Sequence, residues 1–304
     1  MYQFNRLLVG VSFAKQKGAS IRYAAMISRL AKSEEVVFLH VESREDFPDS
    51  LLTDYPDLCQ PVGQYAKEEM EKLVQQYFDG YPETRVTYKV VEGSPLVEFL
   101  RVAKEEDIDI IIMRKSEELE EKGTLFEKLG RKAPCSVLFV PEGSKAWFTN
   151  ILVPVDFSDN SLDAMETAVA IGSAAKGIEE LYCLHVYSVP LGYYKTGKSY
   201  EQFAEIMKGH AEKNYNEFIK KVDLKDLKAV PIFKLEKKVS KGIEEEVKQR
   251  GISLVVVGAR GRRAGAGVLL GSVAEHLIES TTVPLMAVKK KGTGMNLLDA
   301  ILKL

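Results

Sequence analysis

Residues 149–157 read TNILVPVDF, and residues 5–13 read NRLLVGVSF. These two stretches share one pattern at a separation of 144 positions, and three further pairs follow in the same order. FLHVES at 38–43 recurs as CLHVYS at 183–188, a shift of 145. IDIIIM at 108–113 recurs as ISLVVV at 252–257, a shift of 144, and SVLFV at 136–140 recurs as PLMAV at 284–288, a shift of 148. Self-similarity at a fixed period governs how the rest of a chain is read. The chain is therefore expected to be a tandem pair of homologous domains, 1–145 and 149–290, meeting near Glu142–Phe148, with a tail at 291–304.

Working outward from these runs, Leu7–Val11, Ile110–Met113, Ile151–Val155 and Leu254–Val257 carry almost no polar breaks. That suits strands buried on both faces of a parallel sheet. Amphipathic stretches lie between them. Ser158 or Asn160 is placed to cap a helix running through Ala164–Ala175, because a side-chain oxygen there accepts from the first free backbone N–H groups. Helices are also expected over Tyr65–Phe78, Leu96–Glu105, Tyr200–Val222 and Lys241–Arg250. Five strands alternating with four helices give each half a doubly wound, five-stranded parallel α/β sheet of Rossmann-like type. Such sheets bind ligands at the carboxyl ends of the strands, where the strand order reverses.

Composition narrows the function classes. A length of 304 residues fits two domains, and 45% hydrophobic with 28% charged residues excludes a disordered or collagenous chain. Forty-two Lys and Arg against 44 Asp and Glu leave a net charge of −2, with no basic excess to attract nucleic acid or an anionic membrane. The three cysteines, Cys59, Cys135 and Cys183, form no CxxC pair, so neither a disulfide framework nor a zinc site is expected. Cys135 and Cys183 sit in apolar runs and read as small core residues. The amino-terminal MYQFNRLLVGV runs into a strand without a signal-peptide pattern, and no apolar run approaches membrane length. The expected setting is cytoplasmic, with reduced thiols.

The chemistry concentrates after Leu254–Val257. Gly258-Ala259-Arg260-Gly261 follows that run, and nine residues later Gly271-Ser272 opens the helical spacing of Val273–Ile278. Gly258 and Gly261 let the chain leave the strand tightly and let a ligand approach backbone N–H groups. GRRAGAG at 261–267 is a small-residue loop holding Arg262 and Arg263. The N–H groups and dipole at a helix start favour an anion, and the Ser272 hydroxyl adds a donor. Together these make a phosphate cradle. The alternative is a glycine loop followed by an N-cap serine. Neither G-x-x-x-x-G-K-[ST] nor a G-x-G-x-x-G after a first strand occurs, which excludes a P-loop and a dinucleotide fingerprint.

Gly258-x2-Gly261-x9-Gly271-Ser272 resembles the G-x2-G-x9-G-[ST] signature of the universal stress proteins in their ATP-binding branch. The other landmarks agree: Pro154-Val155-Asp156-Phe157-Ser158 closes the first strand of that half, Leu184-His185-Val186 closes the second, and Val283-Pro284 precedes the last. The resemblance implies ATP in the second half. Asp156 would sit near the ribose and adenine, with Pro154 and Val155 also among the nucleotide-binding residues, and the Val186 backbone would meet the adenine. Gly258, Gly261, Gly271 and Ser272 would hold ribose and phosphates, with Val257, Arg260 and Val273 lining the pocket. Asp156 also reads as a carboxylate that starts the following helix. Mg²⁺ is compatible as the companion of ATP phosphates, although no carboxylate cluster dedicated to a metal is apparent. The resemblance further implies that the halves pack as an intrachain pseudo-dimer through Ser136–Val140 and Pro284–Val288. Whether two chains then form a homodimer is left open.

The first half departs from this pattern. Ser12 stands opposite Asp156, Arg114 opposite Gly258 and Glu117 opposite Gly261. Gly123-Thr124 preserves the last element, but the loop before it is shorter and reads Glu118-Leu119-Glu120-Glu121-Lys122. Clustered glutamates repel a triphosphate, and an arginine occupies the place where glycine allowed approach. The first half is therefore expected not to bind ATP.

Other residues receive structural readings. His40 and His185 recur at one strand end and read as satisfied residues of the fold. His276, four residues after Ser272, reads as a solvent-facing helix residue rather than a phosphate ligand. Tyr193, Tyr194, Lys195 and Lys198 read as a surface loop, with a nucleotide lid as the alternative. The tail Met295–Leu304 reads as a short apolar helix, marginal alone, that docks on its own chain or a second protomer; a membrane role is disfavoured by its few charges. No catalytic residue is assigned. The sequence favours a nucleotide-responsive stress or regulatory protein. The alternatives are a slow ATPase or nucleotidyl or phosphoryl transferase, and a nucleotide-free scaffold.

Overall fold

A computed structural model describes residues 4–13, 18–42, 63–115, 125–175, 177–178, 180–261 and 270–293. The first half runs β1 (Arg6–Gly10), α1 (Ala19–Ala31), β2 (Glu35–Glu42), α2 (Gly63–Tyr77), β3 (Arg85–Glu92), α3 (Pro95–Glu105), β4 (Ile110–Lys115), α4 (Leu125–Lys132) and β5 (Ser136–Pro141). The second half repeats the order as β6 (Ile151–Pro154), α5 (Asp159–Ala174), β7 (Glu180–Tyr187), α6 (Tyr200–Ile219), β8 (Lys228–Leu235), α7 (Val239–Gln249), β9 (Leu254–Gly258), α8 (Ser272–Ser280) and β10 (Leu285–Val288). The strand cores are fully buried apolar runs, such as Leu7–Val9, Ile110–Ile112, Ile151–Val153 and Leu254–Val256. This is what a sheet covered by helices on both faces requires.

Among the described residues, the strands join one ten-stranded sheet in the order β3-β2-β1-β4-β5-β10-β9-β6-β7-β8. Within each half the pairing is parallel. The centre is antiparallel: β5 meets β10 with Phe139 opposite Leu285, Leu138 opposite Met286 and Val137 opposite Ala287. Each of these strands would be an unpaired edge if its half stood alone, and exposed apolar edges invite association. Pairing them removes both edges, and the strands so joined are those that the family resemblance designated.

The two faces carry two cores, and each crosses the junction. One contains Val9, Ile112, Leu138, Met286, Val256 and Val153 under α1, α2, α5 and α6. The other contains Leu8, Ile111, Phe139, Leu285, Val255 and Leu152 under α3, α4, α7 and α8. Alternation along each strand assigns neighbours to opposite faces.

Helix ends follow local chemistry. Ser158 caps α5 in a reciprocal box with Ser161, and Ser199 caps α6 with Gln202. Helix α6 stops at Ile219 rather than Val222. Lys221 N donates to Phe218 O and Val222 N to Ile219 O, at 3.0 and 3.1 Å. This tightened last turn lets Val222 reach the core.

Candidate functional site

In the second half the strand order reverses between β6 and β9, so the crevice lies at their carboxyl ends. Val155 follows β6 and its N–H donates to Leu184 O at 2.8 Å. Asp156 comes next, half-buried. Its Oδ1 accepts from Ser158 N at 3.1 Å, Ser158 Oγ at 2.6 Å and Ser161 Oγ at 2.7 Å. The carboxylate therefore organises the start of α5, as its second sequence reading expected. Its other oxygen, Oδ2, lies 2.9 Å from where a Cβ on Gly261 would stand. Asp156 thus joins the end of β6 to the chain leaving β9.

The glycines of this crevice differ in what they allow. A Cβ on Gly258 would sit 2.5 Å from the backbone oxygen of Asn160. That glycine is required by the packing of β9 against the first turn of α5, a physical reason the sequence reading did not include. Gly271 is another matter. It is the N-cap of α8 in extended backbone, φ −78° and ψ 148°, and its N–H donates to Ala259 O at 2.7 Å. A Cβ there would meet Gly261 N at 3.4 Å and Ala259 O at 3.6 Å, which is ordinary contact. Any larger side chain at 271 would grow over the backbone of Ala259–Gly261.

Helix α8 starts at Ser272, whose side chain is exposed. Gly271 offers no side-chain cap to the first turn, unlike the serines that cap α5 and α6. The first N–H groups of a helix lack intrahelical partners and are suited to an anion. Val273 is half-buried and packs on the α3–α8 face core, as does Val186. Pro154 and Val257 are buried at their strand ends, and Arg260 is half-buried beside Gly261. Pro154, Val155, Asp156, Val257, Gly258, Arg260, Gly261, Gly271, Ser272 and Val273 thus fall on the carboxyl ends of β6 and β9 and the amino end of α8. Val186 falls at the carboxyl end of β7, the neighbour of β6 on the side away from β9. It lies within β7, in register with Lys234 of β8, and its side chain packs on Gly242 of α7.

The universal stress protein family model matches this chain twice, over residues 3–141 and 148–289. The chain belongs to the universal stress protein family. The tandem member described here is similar to universal stress protein MJ0577 of Methanocaldococcus jannaschii, with 31% identity over 165 residues, covering 48% of this chain and 98% of that protein. A whole relative thus matches about half of this universal stress protein. Solved structures match over the whole length. A universal stress protein from Archaeoglobus fulgidus has TM-score 0.63 at 17% identity, covering 95% of this chain and 98% of its own. PA1789 of Pseudomonas aeruginosa, a functionally unknown protein, has TM-score 0.66 at 17% identity, covering 99% and 98%. At that identity both show the fold.

In this universal stress protein the first half is built differently at the matching positions. Strand β4 continues through Arg114 and Lys115, paired with Val140 and Pro141 of β5. Arg114 is held by Glu142 at 3.0 Å with its side chain 12% exposed, and Ser12 is exposed. Glu117–Lys122 and Gly123-Thr124 lie outside the described residues, as do Arg262 and Arg263, Cys59 and the Met295–Leu304 tail.

The repeated histidines are structural. His40 Nδ1 lies 2.9 Å from Val11 O and His185 Nδ1 2.8 Å from Val155 O. Each ring also packs on a phenylalanine, Phe13 or Phe157. His276 is half-exposed and meets Glu244 of α7 at 3.3 Å, so its partner is a neighbouring helix. Burial pushes the Cys135 and Cys183 thiols up to about 12, consistent with inert core residues. Tyr193–Thr196 forms a short 3₁₀ turn whose Tyr193 ring lies against Tyr200 and Phe203. Two contributors to the site were missed in sequence. The S-x-x-S spacing of Ser158 and Ser161 was the available signal for the latter. The Asn160 backbone carried no signal, because its role is a tertiary contact.

Proposed function

We propose that the second half binds ATP in the crevice between β6 and β9, and that this protein is a nucleotide-responsive regulatory protein. The observation that carries the reading is convergence on one crevice. The start of α8 without a side-chain cap, the Arg260–Gly261 backbone that faces Gly271 and the Asp156 carboxylate meet there. Phosphates suit the first two, and a carboxylate suits ribose hydroxyls as a hydrogen-bond acceptor. Mg²⁺ enters this proposal only as the ion that accompanies ATP phosphates. Binding without rapid hydrolysis is favoured, because two titratable side chains beside the cradle already have protein partners: Asp156 is held by Ser158 and Ser161, and His276 by Glu244.

The test is calorimetric titration of ATP into the wild type and Gly271→Val. The valine side chain would project over Ala259–Gly261 from a residue whose backbone is already extended. One site per chain, lost in the variant, is the expected result. Two sites per chain would overturn the inactivity of the first half. No binding at millimolar ATP would overturn the proposal and leave the scaffold reading.

A further inference from the structure

The last helix of each half is held at its carboxyl end by a lysine from the other half. Lys115, at the end of β4, donates from Nζ to Glu279 O and to Thr281 O, the latter at 3.1 Å. These carbonyls close α8. Reciprocally, Lys289, just past β10, donates from Nζ to Arg131 O at 2.8 Å and Ala133 O at 3.0 Å, closing α4. A cation at a helix carboxyl end opposes the negative pole of the helix dipole. A second contact reaches the other end of α8. Arg131, in the last turn of α4, pairs with Glu275 in the first turn of α8. Between these points the two helices cross closely: a Cβ on Gly130 would lie 2.7 Å from Ile278 Cδ1. Helix α8 is therefore fixed to the first half at its start, middle and end.

With the 144-residue shift, Lys115 occupies the position that Ala259 holds in the second half. There the Ala259 carbonyl receives the Gly271 N–H and forms part of the cradle. In the first half the same position has become a contact to the opposite domain.

We propose that the first half positions the second half's phosphate helix, with Lys115 and Arg131 as positioning residues for nucleotide held at the amino end of α8. This rests on the ATP reading above. It assigns the degenerate half a role: its loss of glycines at the strand end accompanies gain of a grip on the partner helix.

The test compares wild type with Lys115→Met, Lys115→Arg, Arg131→Glu and the double variant Arg131→Glu/Glu275→Arg. Two readouts are taken. Amide exchange of the 272–280 segment is followed without nucleotide, with the 110–114 strand segment as internal control, and ATP affinity is measured by calorimetry. Lys115→Met and Arg131→Glu are expected to speed exchange in 272–280 and to weaken ATP by about three- to tenfold, the range of one charge at a helix end. Lys115→Arg and the charge-swapped pair are expected to restore both, which a merely structural lesion would not allow. Unchanged exchange in 272–280 overturns the proposal, and so does altered exchange with unaltered ATP affinity. If the wild type binds no ATP, the functional reading falls, while the exchange data still decide whether the first half holds α8.

Discussion

Replacing Lys289 with methionine tests the junction between the halves by a pH dependence with a defined sign. Lys289 is 6% exposed, and its ammonium group is held by the carbonyls of Arg131 and Ala133. Burial pushes its pKa from an ordinary 10.5 down to about 8; nearby Cys135 opposes the shift and Arg260 adds to it. Between these values the unfolded chain holds the proton and the folded chain has released it. Stability therefore rises with pH through that window, because the unfolded state binds more protons. At about 1.4 kcal/mol per pH unit the whole gain is about 3 kcal/mol, of which about 2 kcal/mol falls between pH 7 and 9.5.

Other groups work in the opposite direction. Cys135, Cys183 and Tyr215 are pushed up to about 12 by burial, so their ionisation favours the unfolded chain at high pH. The difference between wild type and Lys289→Met cancels these shared contributions. The variant also loses two hydrogen bonds, which adds an offset that does not change with pH. Urea unfolding in steps from pH 7 to 9.5 gives this difference directly. It is expected to grow in favour of the wild type by about 2 kcal/mol across the range. A difference that stays level or shrinks would refute a Lys289 whose charged form is disfavoured by burial at this junction.

Two further stability predictions follow from the site. Gly258→Ala places a Cβ 2.5 Å from Asn160 O, and overpacking of this kind costs about 1–3 kcal/mol; Gly271→Ala, with its nearest contact at 3.4 Å, should leave the urea midpoint almost unmoved. Ser158→Ala removes the cap of α5 and a donor to Asp156, and should cost about 1 kcal/mol in the same assay.

Much of the fold was legible because its signals are local. Apolar runs without polar breaks, such as Ile151–Val155, mark buried parallel strands whatever their neighbours, and their recurrence at 144 to 148 positions defines the duplication. Ser158 advertised its helix start because capping involves residues three apart. The glycine signature located the start of α8 for the same reason. Less legible was why particular glycines are needed. Gly258 reads in sequence as room for a ligand, yet the atom that would collide with its Cβ belongs to Asn160, 98 positions earlier. The partner of His276 was hidden likewise, since Glu244 lies on another helix.

By itself the sequence determined the α/β class, the tandem arrangement, the family and the placement of the glycine motif after β9, because each is written in spacing along the chain. Tertiary structure decided how the halves meet. The antiparallel pairing of β5 with β10, the cores continuous across that junction, and the crossed lysines Lys115 and Lys289 all join residues far apart in sequence. Such contacts arise when two otherwise exposed sheet edges satisfy each other's backbone groups, and spacing along the chain gives no measure of them.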